Sequence, residues 1–186
     1  RSSDLFSPTK PGIVGFDVNA ANGESFKHAM VCKGEKPKQY GEIFDSISIC
    51  LSKGLGTPVG SLLIGNLALI KKARRIRKAF GGGMRQAGYL AAACLYALDN
   101  NIERLETDHQ HAKKIGATLN TLTWVKEVLP CETNILIFTI DDTKTSVDAV
   151  LLYLKEHEIL AVQFGKNQIR FVTHLDITSE MVEMVC

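Results

Sequence analysis

Lys53 is the residue of this sequence best placed for covalent chemistry. It follows an apolar run, residues 47–51, whose alternation predicts a buried strand, and it lies in a turn bounded by Gly54 and Gly56. A partly desolvated amine at a strand end loses some preference for its charged form, so its lone pair can form an imine with an aldehyde. The glycines would let the backbone approach a flat ligand closely. The alternative is a solvated surface lysine, the commoner environment for this residue type.

Arg85 is a second candidate, because it closely follows three consecutive glycines at 81–83. Three glycines are costly to order, so we expect a backbone conformation forbidden to other residues, or a close approach by another group. A guanidinium suits a phosphate dianion because its planar fork donates two parallel hydrogen bonds and stays charged. The sequence therefore allows an anion site at this loop.

A basic helix face is predicted just before those glycines. Apolar residues recur at helical spacing over 67–80, and the other face carries Lys71, Lys72, Arg74, Arg75, Arg77 and Lys78. Such a run could contact nucleic acid. In a chain with a net charge of only +2, one basic face of one helix is more often simply solvated.

Hydrophobic periodicity predicts the elements that position these residues. In the first half it predicts a helix at 25–31, a charged loop at 33–40, a buried strand at 58–65 and a tightly packed small-residue helix at 88–98. In the second half it predicts strands at 133–140, 159–162 and 169–172, and helices at 102–119, 146–157 and 180–185. Thr178 or Ser179 is the expected cap of the last helix. Strands with helices on one side make a small α/β lobe.

Composition narrows the classes of function. The 186 residues are 45% hydrophobic, and 22 basic residues nearly balance 20 acidic ones, so no global charge favours nucleic acid or a membrane as partner. No apolar run reaches the length of a membrane span. The five cysteines are odd in number and widely spaced, which predicts reduced thiols of a cytoplasmic protein. His109 and His111 point to different helix faces, so we expect surface residues and no metal site.

Three separated motifs resemble the low-specificity L-threonine aldolases. They are SKGLGTPVGSLLIGN at 52–66, KKARRIRKAFGGGMRQAG at 71–88 and IRFVTHLD at 169–176. That family consists of pyridoxal-phosphate enzymes with the aspartate-aminotransferase fold. The resemblance implies an α/β chain with part of a PLP fold-type I large domain and interface helices at 1–98, and a small α/β C-terminal domain at 99–186. It also implies pyridoxal 5'-phosphate as cofactor and cleavage of L-threonine or L-allo-threonine to glycine and an aldehyde.

The resemblance assigns roles to four of these side chains. Lys53 would hold the cofactor as an imine, and Arg170 in the RxVTHxD motif would pair with the α-carboxylate of the amino-acid substrate. Without the resemblance, Arg170 would be interpreted as an exposed arginine of an edge strand. Lys78 and Arg85 match residues that reach the cofactor phosphate from a neighbouring subunit. The resemblance therefore implies a homo-oligomer, a dimer or tetramer with a shared active site.

The partner of the cofactor's pyridine nitrogen is the point at which the sequence departs from that family. Counting back without gaps places Asn22 where the family has an aspartate, and an amide cannot hold a proton on the ring by charge. Asp17, at the end of a strand-like run, could take the role through an insertion, although a loop aspartate is the commoner interpretation. Family members also extend further at the N-terminus. The alternative function is therefore a truncated, non-catalytic relative that retains only the fold and its assembly surfaces.

Overall fold

The computed structural model describes residues 15–17 and 26–186, with side chains described from residue 30 onward. The chain divides into two compact units between Glu103 and Arg104. Both units combine helices with a sheet, so the chain is an α/β protein as predicted. None of the helices in the described ranges is long and apolar enough to cross a membrane.

The first unit contains a three-stranded sheet flanked by helices. Its elements are β1 (Gly15–Asp17), α1 (Phe26–Lys33), α2 (Pro37–Ile43), β2 (Ser46–Cys50), β3 (Ser61–Gly65), α3 (Leu67–Ala79) and α4 (Gly88–Asn100). The strand order is β1-β2-β3, with β1 parallel and β3 antiparallel to the central β2. The predicted strand before Lys53 and the predicted basic helix are both confirmed. The predicted domain boundary after Leu98 falls inside α4.

Three predictions for the first unit are wrong. The charged loop at 33–40 contains the start of α2, because Pro37 is preset for the first helical turn and the Lys36 N–H donates to Gln39 Oε1 at 2.6 Å. Every residue of β3 is exposed, although we expected a buried strand. Helix α4, expected to pack tightly, buries only Ala97 among its residues. Apolar sequence alone therefore did not decide burial in this unit.

The second unit is an antiparallel sheet with helices on one face. Its elements are α5 (Leu105–Leu119), β4 (Val125–Val128), β5 (Ile135–Ile140), α6 (Val147–Glu156), β6 (Val162–Gly165), β7 (Gln168–Val172) and α7 (Ser179–Val185). The strand order is β4-β5-β7-β6. Thr178 is confirmed as the cap of α7, since its hydroxyl accepts from the Met181 N–H at 3.3 Å. Strand β4 was not predicted, because its four residues include Lys126 and Glu127.

Alternation along β5 and β7 separates a core face from an open face. Phe138 is fully buried, and its ring contacts those of Trp124 and Phe171 edge-on at 6.3 and 5.3 Å. The core also contains residues from all three helices of the unit: Ile115, Leu119, Val147, Val150 and Val182. Since successive strand residues point to opposite faces, Arg170, next to Phe171, belongs to the face away from this core.

Candidate active site

Lys53 lies in a loop that buried neighbours hold in place. Leu51 and Leu55 are 0% and 1% exposed, so the loop is anchored on both sides of the lysine. Backbone hydrogen bonds join Leu51 N–H to Gly60 O at 2.9 Å and Gly56 N–H to Lys53 O at 2.8 Å. Gly56 has a positive φ of 71°, a conformation that side chains disfavour. The predicted glycine requirement of this turn is therefore confirmed at Gly56.

The Lys53 side chain itself is exposed. Within the described part of the chain, no carboxylate pairs with its amine and no side-chain hydrogen bond is made to it. The backbone of the loop is thus fixed, and no carboxylate of the described residues competes for the Lys53 amine. The partial desolvation expected of a nucleophilic lysine is not supplied by the described residues.

Asp17 and Lys53 belong to the same edge of the first sheet. Strands β1 and β2 run parallel with Asp17 aligned to Ser48, and the Lys53 loop follows the end of β2. Parallel strands have their carboxyl ends at the same edge of a sheet. The backbone positions of Asp17 and Lys53 therefore both lie at that edge. Asn22 lies outside the described residues.

The three glycines before Arg85 end helix α3. The Gly82 N–H donates to Arg77 O at 2.8 Å and the Gly81 N–H to Lys78 O at 3.1 Å, which is the Schellman arrangement. Gly81 has a φ of +79°, and a Cβ on Gly82 would lie 2.9 Å from the Arg77 side chain. Both expectations for this loop, a forbidden conformation and a close approach, are therefore confirmed.

Lys78 and Arg85, on either side of these glycines, are exposed, as are the other basic side chains of α3. No carboxylate of the described residues pairs with Lys78 or Arg85. Lys78 also has a local role, since a cation in the last helical turn complements the helix dipole. A groove along α3 is lined by Lys71, Lys72, Arg75, Ile76 and Ala79 and does not include Lys78.

Arg170 lies in an interior strand, which contradicts the edge-strand alternative. Strand β7 pairs with both neighbours, and Arg170 is aligned with Ile137 on β5 and with Val162 on β6. Its side chain is half-buried, and its Nε is buried with no hydrogen-bond partner among the described residues. A buried donor without an acceptor costs about 1–3 kcal/mol. The face of the second sheet away from the core therefore carries a half-buried guanidinium with one unsatisfied donor among the described residues.

A cavity of about 550 Å³ in the second unit does not involve these candidates. It is mostly apolar and is lined by residues that include Ile115, Phe171, Val182, His174 and Asp176. Lys53, Lys78, Arg85 and Arg170 are absent from its lining. This cavity therefore contributes none of the candidate residues of either unit.

His109 and His111, predicted to be surface residues, are buried. His109 is 1% exposed and lies 3.6 Å from a Glu106 carboxylate oxygen, and His111 Nε2 lies 3.3 Å from the Ser179 hydroxyl. The prediction was wrong because helix α5 is covered on more than one side. One sequence signal indicates this for His109, which lies at i+4 of a series in which Leu105, Ala112 and Leu119 recur at the i, i+7 and i+14 spacing of a core face.

A buried polar cluster joins α5 to the segment that follows Arg170. Asp108 is fully buried, accepts a hydrogen bond from Arg104, and burial raises the pKa of its carboxyl although Arg104 opposes this. The Thr173 hydroxyl donates to the Asp108 carbonyl at 2.6 Å. Asn134 and Thr173 exchange two further hydrogen bonds at 3.0 and 2.9 Å. Thr173, three residues after Arg170, is therefore held by hydrogen bonds to Asn134, which precedes β5, and to Asp108 of α5.

Lowering the pH below 7 is expected to destabilise the protein through His109. Burial lowers the pKa of His109 from its usual 6.5; Glu106 opposes this shift and Lys113 adds to it. Between the usual and the lowered pKa, the unfolded chain binds a proton that the native chain does not. The free energy of unfolding should therefore fall as the pH falls, by at most about 1.4 kcal/mol per pH unit. Urea denaturation at a series of pH values measures this change.

His109→Gln should flatten that pH dependence, because the variant has no group at this position that binds a proton. The exposed His157 offers a matched control, and His157→Gln should keep the wild-type profile. If His109→Gln lost stability with acidification as steeply as the wild type, another group would be responsible.

Sequence comparison relates the chain to one protein family. Residues 18–143 match the family model described as beta-eliminating lyase. The chain is 42% identical over 164 residues to the low specificity L-threonine aldolase of Escherichia coli K12, covering 88% of this chain and 47% of that protein. It is 36% identical over 163 residues to low-specificity L-threonine aldolase 1 of Arabidopsis thaliana, covering 87% and 46%. The chain thus spans about half the length of these curated relatives.

Solved structures show the same fold at low sequence identity. A putative L-allo-threonine aldolase from Listeria monocytogenes EGD-E superposes with a TM-score of 0.68 at 17% identity, covering 88% of this chain and 50% of that one. The threonine aldolase of Leishmania major gives 0.66 at 17% identity, covering 92% and 49%. Histidinol-phosphate aminotransferase from Clostridium acetobutylicum gives 0.59 at 13% identity, covering 92% and 51%. The fold is therefore the fold-type I fold of these aldolases and aminotransferases.

Proposed function

Because the chain belongs to the beta-eliminating lyase family, we propose that it serves a pyridoxal-phosphate-dependent aldol cleavage of L-threonine and L-allo-threonine to glycine and acetaldehyde. One observation carries this proposal. The fixed loop at the end of β2 presents the Lys53 amine, which has no partner within the described chain, at the same sheet edge as the backbone of Asp17. A flat ligand that carries an aldehyde and a pyridine nitrogen requires an amine for the first group and a carboxylate for the second.

The described side chains fit the other groups of such a cofactor. Lys78 and Arg85 are exposed cations without carboxylate partners in the described chain, as a phosphate requires. When bound, the cofactor supplies an electron sink for the charge left on Cα as the Cα–Cβ bond breaks. Lys53 would hold it covalently, and Asp17 would be the partner of its ring nitrogen. Asn22 is the weaker candidate for that nitrogen, because an amide has no charge to offer.

Arg170 is the proposed anchor of the substrate. Its orphaned Nε and its half-buried position match the bidentate capture of an α-carboxylate. Holding the carboxylate fixes the rotation of the substrate about Cα, so that the bond to be cleaved is aligned for electron withdrawal. Lys53 and Arg170 belong to different units. We take the first unit as part of the cofactor-binding large domain and the second as the small C-terminal domain.

A homo-oligomer completes the proposal. Large apolar side chains of the first unit are exposed, including Leu67, Phe80, Tyr89, Leu95 and Tyr96. Exposed apolar patches of this kind mark interfaces between proteins. We assign α3, α4 and the glycine loop to contact with a second copy, in a dimer or homotetramer, whose cofactor phosphate Lys78 and Arg85 would reach. This assignment accounts for the basic face of α3 without nucleic acid. We propose a cytoplasmic location, as the odd number and wide spacing of the five cysteines predict.

The direct test is aldol cleavage by the 186-residue chain. Supplied with pyridoxal phosphate and L-threonine or L-allo-threonine, it should release glycine and acetaldehyde in equal amounts, measured by chromatography and by a coupled NADH assay. L-Serine without a β-methyl group gives formaldehyde and is a useful comparison. A chain that folds but releases no glycine would support the alternative, a non-catalytic relative that keeps only fold and assembly surfaces.

A further inference from the structure

Phe164 is an exposed aromatic residue that lies against the guanidinium of Arg170. The guanidinium carbon is 5.4 Å from the centre of the Phe164 ring, within the range of a cation–π contact. The side chain is 47% exposed and is not among the described residues that form the core of the second unit. Packing of the core therefore does not explain why an aromatic ring stands here.

Phe164 lies at a β-bulge of strand β6. Gln163 is aligned with Ile169 and Gly165 with Gln168, so Phe164 is the extra residue of β6. Bulges re-aim side chains and are frequent next to functional sites. Val162 is aligned with Arg170 and shares its sheet face, and the contact with the guanidinium places the Phe164 ring on that face as well. The bulge and the contact with Arg170 therefore occur at the same residue.

Side-chain contacts hold the bulge in this form. Gln163 Nε2 donates to Gly165 O at 3.0 Å and to Lys166 O at 3.3 Å, across the turn between β6 and β7. The Asn167 amide donates to an Asp142 carboxylate oxygen at 2.9 Å. These bonds fix the turn from both sides. The position of Phe164 is therefore set before any ligand binds.

Within the described part of the chain, the Arg170 guanidinium donates no hydrogen bond. All N–H groups of a guanidinium lie in its plane, so contact at one face does not use them. The Nε of Arg170 is buried and has no acceptor among the described residues. A carboxylate that approaches in the plane can accept two parallel hydrogen bonds from such a fork. Fixing the plane in advance reduces the rotamer entropy lost on binding.

We propose that Phe164 is a positioning residue that holds the Arg170 guanidinium edge-on for the α-carboxylate of the amino-acid substrate. This inference rests on the proposed function. Phe164 acts through Arg170 and touches no reacting atom. Its effect should appear in the binding of carboxylate-bearing ligands and not in the cleavage step.

Steady-state kinetics of the cofactor-loaded protein test the role. Phe164→Leu should raise KM for L-threonine by about two- to thirtyfold and leave kcat within about twofold, as expected for loss of a cation–π contact. Phe164→Tyr, which keeps the ring, should restore the wild-type KM. In an Arg170→Ala background, Phe164→Leu should have no further effect on KM. A kcat that falls as much as KM rises, or an undiminished effect without Arg170, would overturn the proposal.

A second measurement needs no turnover. In ¹⁵N NMR spectra, the Nε–H signal of Arg170, assigned with Arg170→Lys, should carry a ring-current shift that is lost in Phe164→Leu and kept in Phe164→Tyr. Titration with glycine, the probe carboxylate, should move this signal at lower concentrations in the wild type than in Phe164→Leu. If cleavage is absent and these shifts are as expected, the proposed function fails and the role of Phe164 stands. If cleavage occurs and the shift is unaltered in Phe164→Leu, the role of Phe164 fails alone.

Discussion

Replacing Lys53 with alanine is expected to abolish the visible absorption that pyridoxal phosphate gains when it joins a protein lysine, and to reduce glycine release by about three to six orders of magnitude. The reason is that Lys53 is the amine presented at the sheet edge by a fixed loop, with no carboxylate of the described chain competing for it. The measurement is a spectrophotometric titration of wild type and variant with the cofactor, followed by the cleavage assay.

Lys38→Ala is the matched control, because Lys38 is an exposed lysine of α2 in the same unit, outside the helices assigned to contact with a second copy. It should leave both the spectrum and the cleavage rate unchanged. Borohydride reduction followed by peptide mass spectrometry gives an independent readout, since it fixes the pyridoxyl group on the lysine that carries it. Label on Lys53 is the expected result. Label distributed over Lys71, Lys72 and other surface lysines would show that the amines react unselectively.

The exposed Lys53 side chain needs further groups to shield it from solvent. Its loop is anchored by buried Leu51 and Leu55, but the side chain between them stays in solvent. Desolvation, which favours the neutral amine, must then come from a surface beyond the described residues. The second copy proposed to supply Lys78 and Arg85 is one such surface, because these cations would cover the neighbour's cofactor. The exposed apolar side chains of α3 and α4 support the same assembly.

Local patterns were enough to predict the elements around the candidate site. The alternation before Lys53 predicted β2, and the flanking glycines predicted the turn that follows it. A short apolar run followed by glycines is compatible with few other local structures. The periodicity over 67–80 predicted α3 to within one residue. The helix-ending hydrogen bonds to Arg77 and Lys78 follow directly from the glycines at 81–83. Each of these features is decided within a few residues of sequence.

Burial and side-chain pairing could not be predicted in the same way. Strand β3 and helix α4 are apolar but exposed, since burial depends on what packs against them and not on their own composition. His109 and His111 are polar but buried, since helix α5 is covered on more than one side. The bulge at Phe164 depends on how β6 aligns with β7, which the sequence does not display. The contact between Phe164 and Arg170 was therefore visible only in three dimensions.

Arg170→Ala is expected to raise KM for L-threonine by about 10- to 150-fold while changing the affinity for pyridoxal phosphate by less than about twofold. Hydrogen bonds to charged groups contribute about 1.5–3 kcal/mol, and each 1.4 kcal/mol is tenfold in affinity. Arg170 belongs to the second unit and is proposed to contact the substrate alone, so the cofactor should not sense its loss. Substrate kinetics and cofactor titration on the same preparation measure both quantities.

Arg170→Lys separates charge from geometry. It keeps the positive charge but replaces the planar fork by a point donor, so its KM should lie between those of wild type and Arg170→Ala. Lys166, at the nearby turn between β6 and β7, offers a control in which a cation is removed without touching the open-face guanidinium. Lys166→Ala should keep the wild-type KM. Equal losses of cofactor and substrate affinity in Arg170→Ala would remove Arg170 from the substrate site, because a residue that binds only the α-carboxylate has no means of weakening the cofactor.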